Sequence, residues 1–291
     1  MSTRLPTPPV PSLPDGLRAH LDLVVFDLAG TTIDFGCKAP ISAFVGLFAE
    51  RGVTVTEAQA RRPMGLAKRA HIDAMLSDPE VIAAWRAGVG AAPPEAGAAR
   101  EALVDALYAR ATPLQIAVLP QHAAPIPGAV AQLDALRAAG LGLALTTGYN
   151  REMLDVLLPV AEAAGLRADL ALASTDVRRG RPWPDLCWEA AMRLGGLRAA
   201  SRGVNVGDTP IDMQTGRSAG FWTVGFALSG NEVGLSAAEL EALSPGARSA
   251  ARRAAELRLR EAGAHEVVDD IGALGLALER ICARAAAGER P

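Results

Sequence analysis

The chain has 291 residues, half of them hydrophobic and only 4% aromatic, with a formal net charge of −3 and a pI near 5.9. That is enough apolar material for one large domain or for a core with a smaller insert, and the acid-leaning balance excludes a general polyanion-binding surface such as a nucleic-acid interface. Three widely spaced cysteines, Cys37, Cys187 and Cys282, offer neither a disulfide framework nor a paired metal site, which fits a reducing cytoplasm.

Met1 to Asp15 holds five prolines and one basic residue, Arg4, without the apolar centre of a signal peptide. Residues 1–20 therefore read as a disordered leader. Leu21 to Phe26 is a short apolar run ending at Asp27 and followed by Ala29-Gly30-Thr31-Thr32, the pattern of a buried strand that delivers its carboxyl end to a turn. Between about Ala39 and His122 the pattern is helical throughout. Ile41, Phe44, Val45 and Phe48 share one face, and further helices are expected around Ala67 to Leu76, Pro79 to Arg86 and Glu95 to Leu119. No apolar run there or elsewhere approaches the ~20 residues of a membrane span.

From Gly128 onward strands and helices alternate. Strand candidates lie at Leu141 to Leu145, Leu170 to Ala173, Val204 to Val206, Trp222 to Val224 and Glu266 to Val268, and helices at Gly128 to Ala139, Arg151 to Ala164, Pro184 to Leu194 and Ile211 to Ala219. The expected fold is α/β, a Rossmann-like, mostly parallel sheet built from residues 21–38 and 123–291, interrupted by an all-helical cap at 39–122. Two adjacent crossings between cap and core would form a hinge.

In such sheets reactive residues collect beyond the carboxyl ends of the strands. Asp27, Thr146, Thr147 and Asp208 all fall at such ends. An aspartate there can attack phosphorus and form an aspartyl phosphate. Carboxylate and phosphate together require a divalent cation, and Asp208 supplies a second carboxylate to hold it. Asp212, one turn further on, suits an orienting role. The hydroxyls of Thr146 and Thr147 with nearby backbone N–H groups can hold phosphate oxygens, and Arg181 adds positive charge. Any one of these alone would be an ordinary cap or surface residue; four in order at strand ends point to a site.

Phe26-Asp27-Leu28-Ala29-Gly30-Thr31-Thr32, Thr146-Thr147-Gly148, Gly180-Arg181-Pro182 and Gly207-Asp208-Thr209-Pro210-Ile211-Asp212 resemble the ordered motifs of the haloacid-dehalogenase superfamily. The resemblance implies an aspartate nucleophile working with Mg²⁺. Two departures are informative. The general acid that most phosphatases of the superfamily carry two residues after the nucleophile is here Ala29, and the lysine of the third motif is replaced by Arg181. An acid is unnecessary if the leaving group is carbon with its electrons delocalised elsewhere. Met64-Gly65-Leu66-Ala67-Lys68-Arg69-Ala70-His71 places an amine near the start of a cap helix, and an imine formed on that amine could draw those electrons. A neutral Lys68 would need desolvation or a nearby positive charge, from the cation, from Arg69 or from a dry, closed cap.

This combination resembles the phosphonoacetaldehyde hydrolase (phosphonatase) family over nearly the whole chain, from about Leu21 to about Ile281. Further matching stretches include Ile33-Asp34, Gly36-Cys37, Ala39-Pro40, Thr147-Gly148-Tyr149, Glu232-Val233-Gly234-Leu235 and Gly263-Ala264-His265. The resemblance implies that Lys68 forms the imine with phosphonoacetaldehyde, that Ala29 gives a backbone carbonyl to Mg²⁺ beside Asp27 and Asp208, and that Thr147, Gly148 and Arg181 bind phosphate. It also implies that Cys37, Met64, His71 and Tyr149 line the aldehyde pocket, with Gly65, Thr209 and Asp212 in support, and that the enzyme is a homodimer through cap helices. The residues themselves leave other readings open: Lys68 as a solvated or purely phosphate-binding charge, His71 as a structural or proton-carrying group, Cys37 as packing. A same-fold enzyme acting on another phosphonoaldehyde or a phosphate ester, and a catalytically silent binding domain, also stay open. His20, His122 and His265 receive no role.

Overall fold

Six strands form one sheet in the computed structural model, which describes residues 13–195 and 202–291. They are β1 (Leu23–Asp27), β2 (Gly142–Thr146), β3 (Leu170–Leu172), β4 (Gly203–Gly207), β5 (Trp222–Phe226) and β6 (Glu266–Val268), in the order β3-β2-β1-β4-β5-β6. Every neighbouring pair is parallel. Parallel strands are joined by crossovers that cover both faces, so the strands must be apolar on both sides. Accordingly β1, β4 and β5 are buried at every position. Along β1 the pleat sends Val24 and Phe26 to one face and Leu23 and Val25 to the other, where they join separate apolar clusters.

Strand order runs outward in both directions from β1 and β4. That junction is the switch point where the crossovers diverge and a crevice opens above the sheet. Asp27 ends β1, and Asp208 follows directly on β4.

α1 (Leu17–His20) precedes β1, and after β1 the chain leaves the sheet and, apart from isolated bridges of Ile33 with Ala29 and Pro125, forms helices: α2 (Ala39–Ala49), α3 (Glu57–Arg61), α4 (Lys68–Ser77), α5 (Pro79–Val89), α6 (Gly97–Val118) and a 3₁₀ turn (Leu119–His122). Their starts are written locally. Thr56 and Gln59 form a capping box for α3, and Asp78 caps α5, which also begins with proline. The insert has its own core, with Phe44, Phe48, Ile72, Trp85 and Leu107 at its centre. Two passages join it to the sheet, and Asp34 ties them together. Its Oδ1 lies 2.8 Å from His122 Nδ1 and its Oδ2 accepts a 2.9 Å bond from the Ala39 amide. After the insert, α7 (Ala129–Ala138), α8 (Arg151–Ala163), α9 (Asp185–Leu194), α10 (Pro210–Ala219), α11 (Ala237–Glu241), α12 (Pro245–Glu261) and α13 (Leu274–Ala286) complete the crossovers and the C-terminus.

Three expectations need correction. The leader is not disordered through residue 20: Leu17–His20 is helical and Leu17 is buried in the main core, because it packs with Leu21 and the alanine-rich flank of the sheet. Residues 1–12 lie outside the described residues. Gly97–His122 is long and apolar enough, by length and composition, to cross a membrane. Alanine supplies much of that apolarity, and α6 also carries Arg100, Glu101, Asp105 and Arg110. His122, given no role, joins the two passages between insert and sheet through Asp34.

Phe26→Ala would empty a fully buried position between the sheet and its helices, and should lower the unfolding free energy by about 3–5 kcal/mol in urea titrations followed by circular dichroism. A loss under about 1 kcal/mol would contradict this placement of β1.

Candidate active site

The sheet's switch point gathers the acidic residues. Asp27, Asp208 and Asp212 each offer a carboxylate oxygen, all within 4.8 Å of one another, and all three are buried. Asp208 is held from two sides, by Thr31 Oγ1 at 2.9 Å and by the Asn231 amide at 2.7 Å. Asp212 sits in the first turn of α10, where Thr209 and Asp212 form a capping box; Thr209 Oγ1 donates to Asp212 Oδ2 at 2.6 Å. Arg181, which precedes a cis peptide bond to Pro182, is clamped among them. Its Nη1 donates to Asp27 Oδ1 and Asp212 Oδ1, both at 2.6 Å, and its Nη2 to the Thr146 carbonyl at 2.8 Å and the Thr146 hydroxyl at 2.7 Å. The Thr146 hydroxyl, expected to hold phosphate, accepts from Arg181 here and does not line the cavity between cap and core.

One guanidinium cannot neutralise three buried carboxylates, and uncompensated buried charge is costly. The strain appears in their acidities. Burial raises Asp27 to about 6, with Asp212 adding and Arg181 opposing. Burial, then Asp27 and Asp212, push Asp208 well above the usual carboxylate range. A cluster of oxygen donors with surplus negative charge fits a hard divalent cation.

The cap brings its own groups to the same place. A cavity of about 20 Å³ is lined by Asp27, Ala29, Cys37, Pro40, Met64, Gly65, Lys68, Thr147, Gly148, Tyr149, Arg181 and Thr209. Lys68 is the first residue of α4 and only 5% exposed. Its Nζ lies 3.8 Å from Met64 Sδ, 4.9 Å from the centre of the Tyr149 ring and 5.6 Å from that of Phe44. Aromatic faces and a thioether replace little of an ammonium's hydration. Burial accordingly lowers the Lys68 pKa to about 8, with Arg181 adding to the shift while Cys37, Asp27 and Asp34 oppose it. Arg69 does not contribute; it pairs outward with Glu101 and Asp105. Cap and core touch closely beside the amine. The Lys68 amide donates to the Gly148 carbonyl at 3.2 Å, and a Cβ on Gly148 would stand 2.4 Å from the Leu66 carbonyl oxygen.

His71 is fully buried one turn along α4, stacked on Phe44 at 4.0 Å, with Nε2 2.9 Å from the Ala60 carbonyl and Nδ1 without a partner. Burial first, and the Lys68 charge second, hold its pKa well below the usual value. A neutral ring that donates through Nε2 is the tautomer this pairing requires. Among the residues expected in the site, His71, Thr146, Asp208 and Asp212 lie outside the cavity lining, and the rest face it. Burial keeps the Cys37 thiol and the Tyr149 phenol protonated. Thr147 Oγ1 accepts from the Tyr149 amide at 3.1 Å, fixing that loop.

Sequence reasoning missed Phe44 as the platform for both Lys68 and His71, Thr31 and Asn231 as the holders of Asp208, and the significance of lysine scarcity. The chain contains only two lysines, Lys38 and Lys68, among 29 basic residues.

A parallel sheet with this strand order, a helical insert after the first strand and an acid cluster at the switch point define a hydrolase of the haloacid dehalogenase-like class, and residues 21–220 match that family. Phosphonoacetaldehyde hydrolase of Nitratidesulfovibrio vulgaris (strain Miyazaki F) is 42% identical over 268 residues, covering 92% of this chain and 93% of that protein. Phosphonoacetaldehyde hydrolase of Hahella chejuensis is 41% identical over 276 residues, covering 94% and 91%. A solved structure described as a phosphonoacetaldehyde hydrolase like protein, from Oleispira antarctica, superposes with a TM-score of 0.88 at 37% identity, covering 94% of this chain and 96% of that one. The chain belongs to the phosphonoacetaldehyde hydrolase family.

With a pKa near 8, Lys68 gains its reactive neutral form as pH rises from 6 to 8, whereas an ordinary lysine does so only near 10.4. Reductive methylation with formaldehyde, read by mass spectrometry at Lys68, should half-saturate near pH 8. A midpoint near that of an ordinary lysine, about 10.4, would contradict the desolvation of Lys68.

Proposed function

We propose that the protein hydrolyses the carbon–phosphorus bond of phosphonoacetaldehyde to acetaldehyde and phosphate, through an imine on Lys68 and a phosphoryl group carried by Asp27. One observation supports this above the rest: a desolvated amine on the cap shares a cavity with a core carboxylate, and no general acid stands at Ala29. An alkoxide leaving group would need that acid, so a phosphate ester fits the site less well.

The steps follow from the groups present. Lys68, deprotonated in its apolar surroundings, adds to the aldehyde, and water leaves as the imine forms. Protonated at nitrogen, the imine becomes the electron sink. The Asp27 carboxylate attacks phosphorus, the carbon–phosphorus bond breaks, and its electron pair becomes the double bond of an enamine. Water then releases phosphate from Asp27. Protonation of the enamine at carbon and hydrolysis of the imine return acetaldehyde and Lys68. Arg181 holds Asp27 in orientation and faces the cavity, where it can also meet phosphate oxygens with Thr147 and Gly148. His71, neutral and with Nδ1 free, suits proton exchange near the amine.

We assign the cation as Mg²⁺, held by Asp27 and Asp208 with the Ala29 carbonyl and oriented by Asp212; bound there, it would neutralise charge on the phosphoryl group. Residues 39–122 would act as a cap on a core of residues 21–38 and 123–291. A cavity of about 20 Å³ barely admits a water, so the substrate would enter only with the cap open. The three cysteines are unpaired, in keeping with a reducing cytoplasm. A homodimer is the expected assembly. Its interface would run through cap helices, as the family resemblance implies.

Asp27→Asn should fold and bind yet lose turnover on the order of 10⁴-fold or more. Lys68→Arg, which keeps charge but cannot form an imine, should lose carbon–phosphorus cleavage on a similar scale. Borohydride added with substrate should inactivate the enzyme and leave a mass adduct on Lys68; full activity after that treatment removes the imine. Chelation should abolish phosphate release and Mg²⁺ should restore it. Light scattering should give twice the mass of one chain, and a monomeric protein would dispose of the dimer.

A further inference from the structure

One cap residue outside the reacting groups reaches deep into the core. Arg61 ends α3, and its Nη1 donates to the carbonyls of Gly36 at 2.9 Å and Cys37 at 3.3 Å and to Asn231 Oδ1 at 3.3 Å. Its Nη2 donates to the Gly234 carbonyl at 3.2 Å. The side chain is 13% exposed, and the carboxylate nearest it is Glu57 of the same helix, 3.8 Å away and mostly solvated. The seat is shaped for it: a Cβ on Gly234, whose φ is +67°, would lie 2.7 Å from the guanidinium carbon.

The loop that forms this seat also holds the acid cluster. Asn231 contacts Arg61 through its side chain, returning a 3.3 Å bond from Nδ2 to the Arg61 carbonyl, and contacts Asp208 Oδ2 through its backbone amide. The Ser229 carbonyl accepts from the Gly36 amide in the hinge at 2.7 Å. One loop therefore touches cap, hinge and Asp208.

We propose that Arg61 is a positioning residue, the latch that holds the cap closed with Lys68 over Asp27 and, through Asn231, couples closure to the orientation of Asp208. The acceptors are neutral carbonyl oxygens, and both they and the guanidinium are readily rehydrated. Such bonds exchange for water at small net cost, which makes the contact reversible where an apolar seam of equal area would not be. The planar fork of arginine reaches four acceptors that span two segments, and lysine could not. The inference rests on the role proposed for Lys68, but its test needs no substrate.

The Mg²⁺-supplemented protein and its Arg61→Ala and Arg61→Lys variants would be compared for the rate at which Lys68 reacts with an amine-modifying reagent and for hydrogen exchange over residues 229–235. Release of the latch should speed modification by about tenfold in the alanine variant and less in the lysine variant, and raise exchange in that loop. With phosphonoacetaldehyde, kcat/KM should fall about tenfold, and more Mg²⁺ should be needed for half-maximal activity. Unchanged Lys68 reactivity and loop exchange in both variants would overturn the latch, whatever happens to turnover. Were the alanine variant to unfold, the lysine variant and Asn231→Ala would decide by the same two readings. A parent without activity on phosphonoacetaldehyde would sink the proposed substrate and leave the latch measurements standing.

Discussion

The rest of the site depends on the electrostatics of one crowded point, where β1 and β4 deliver Asp27 and Asp208 side by side and α10 adds Asp212. Burying carboxylates so close together is unfavourable unless something positive is built in with them. Arg181 partly meets that need, spending its fork on Asp27, Asp212 and both oxygens of Thr146. It bonds to no oxygen of Asp208, whose two oxygens are met by the Thr31 hydroxyl and the Asn231 amide. The asymmetry divides the cluster into a side neutralised by protein and a side held only by neutral donors. A cation is wanted most on the second side, and the Asn231 loop of the core links that side to the cap through Arg61.

Across the cavity the opposite problem is solved by opposite means. Lys68 has no carboxylate within ion-pairing distance among the described residues; it faces Met64, Phe44 and Tyr149. Asp27 and Asp34 are near enough to favour the ammonium, but burial outweighs them. The amine is therefore poised, and small changes in cap position would change its desolvation. His71 is built on the same platform. Phe44 stacks beneath it while approaching the Lys68 amine, so one aromatic sets the environment of two titratable groups.

Much of this was legible in the chain before its fold was known. The strand ends, the helical insert and the acidic positions follow from apolar runs stopped by Asp27, Thr146 and Asp208, because a buried parallel strand has no other way to look. Lys68 was legible only by resemblance, since an amine at a helix start is ordinarily solvated. What escaped were relationships between distant segments. Nothing local to Asn231 or Arg61 hints that they meet across 170 residues, or that the Thr146 hydroxyl meets Arg181. The order at Leu17 was hidden for a similar reason. Leu13, Leu17 and Leu21 are spaced four apart, but set among prolines and polar residues they are too few to mark a buried helix, and the burial of Leu17 depends on a surface built much later in the chain.

Lysine scarcity bears on the chemistry in a way that composition totals conceal. An aldehyde condenses with any neutral amine it meets, and guanidinium groups stay charged at any pH a protein tolerates. With arginine supplying nearly all the positive charge, the chain offers an aldehyde only Lys38, Lys68 and the terminal amine. Lys38 has water and a carboxylate beside it, being partly exposed and 3.4 Å from Glu239. Lys68 has neither. On the proposed mechanism, reaction with the aldehyde would be directed to the cap by how each amine is solvated, with no special reactivity in the lysine itself.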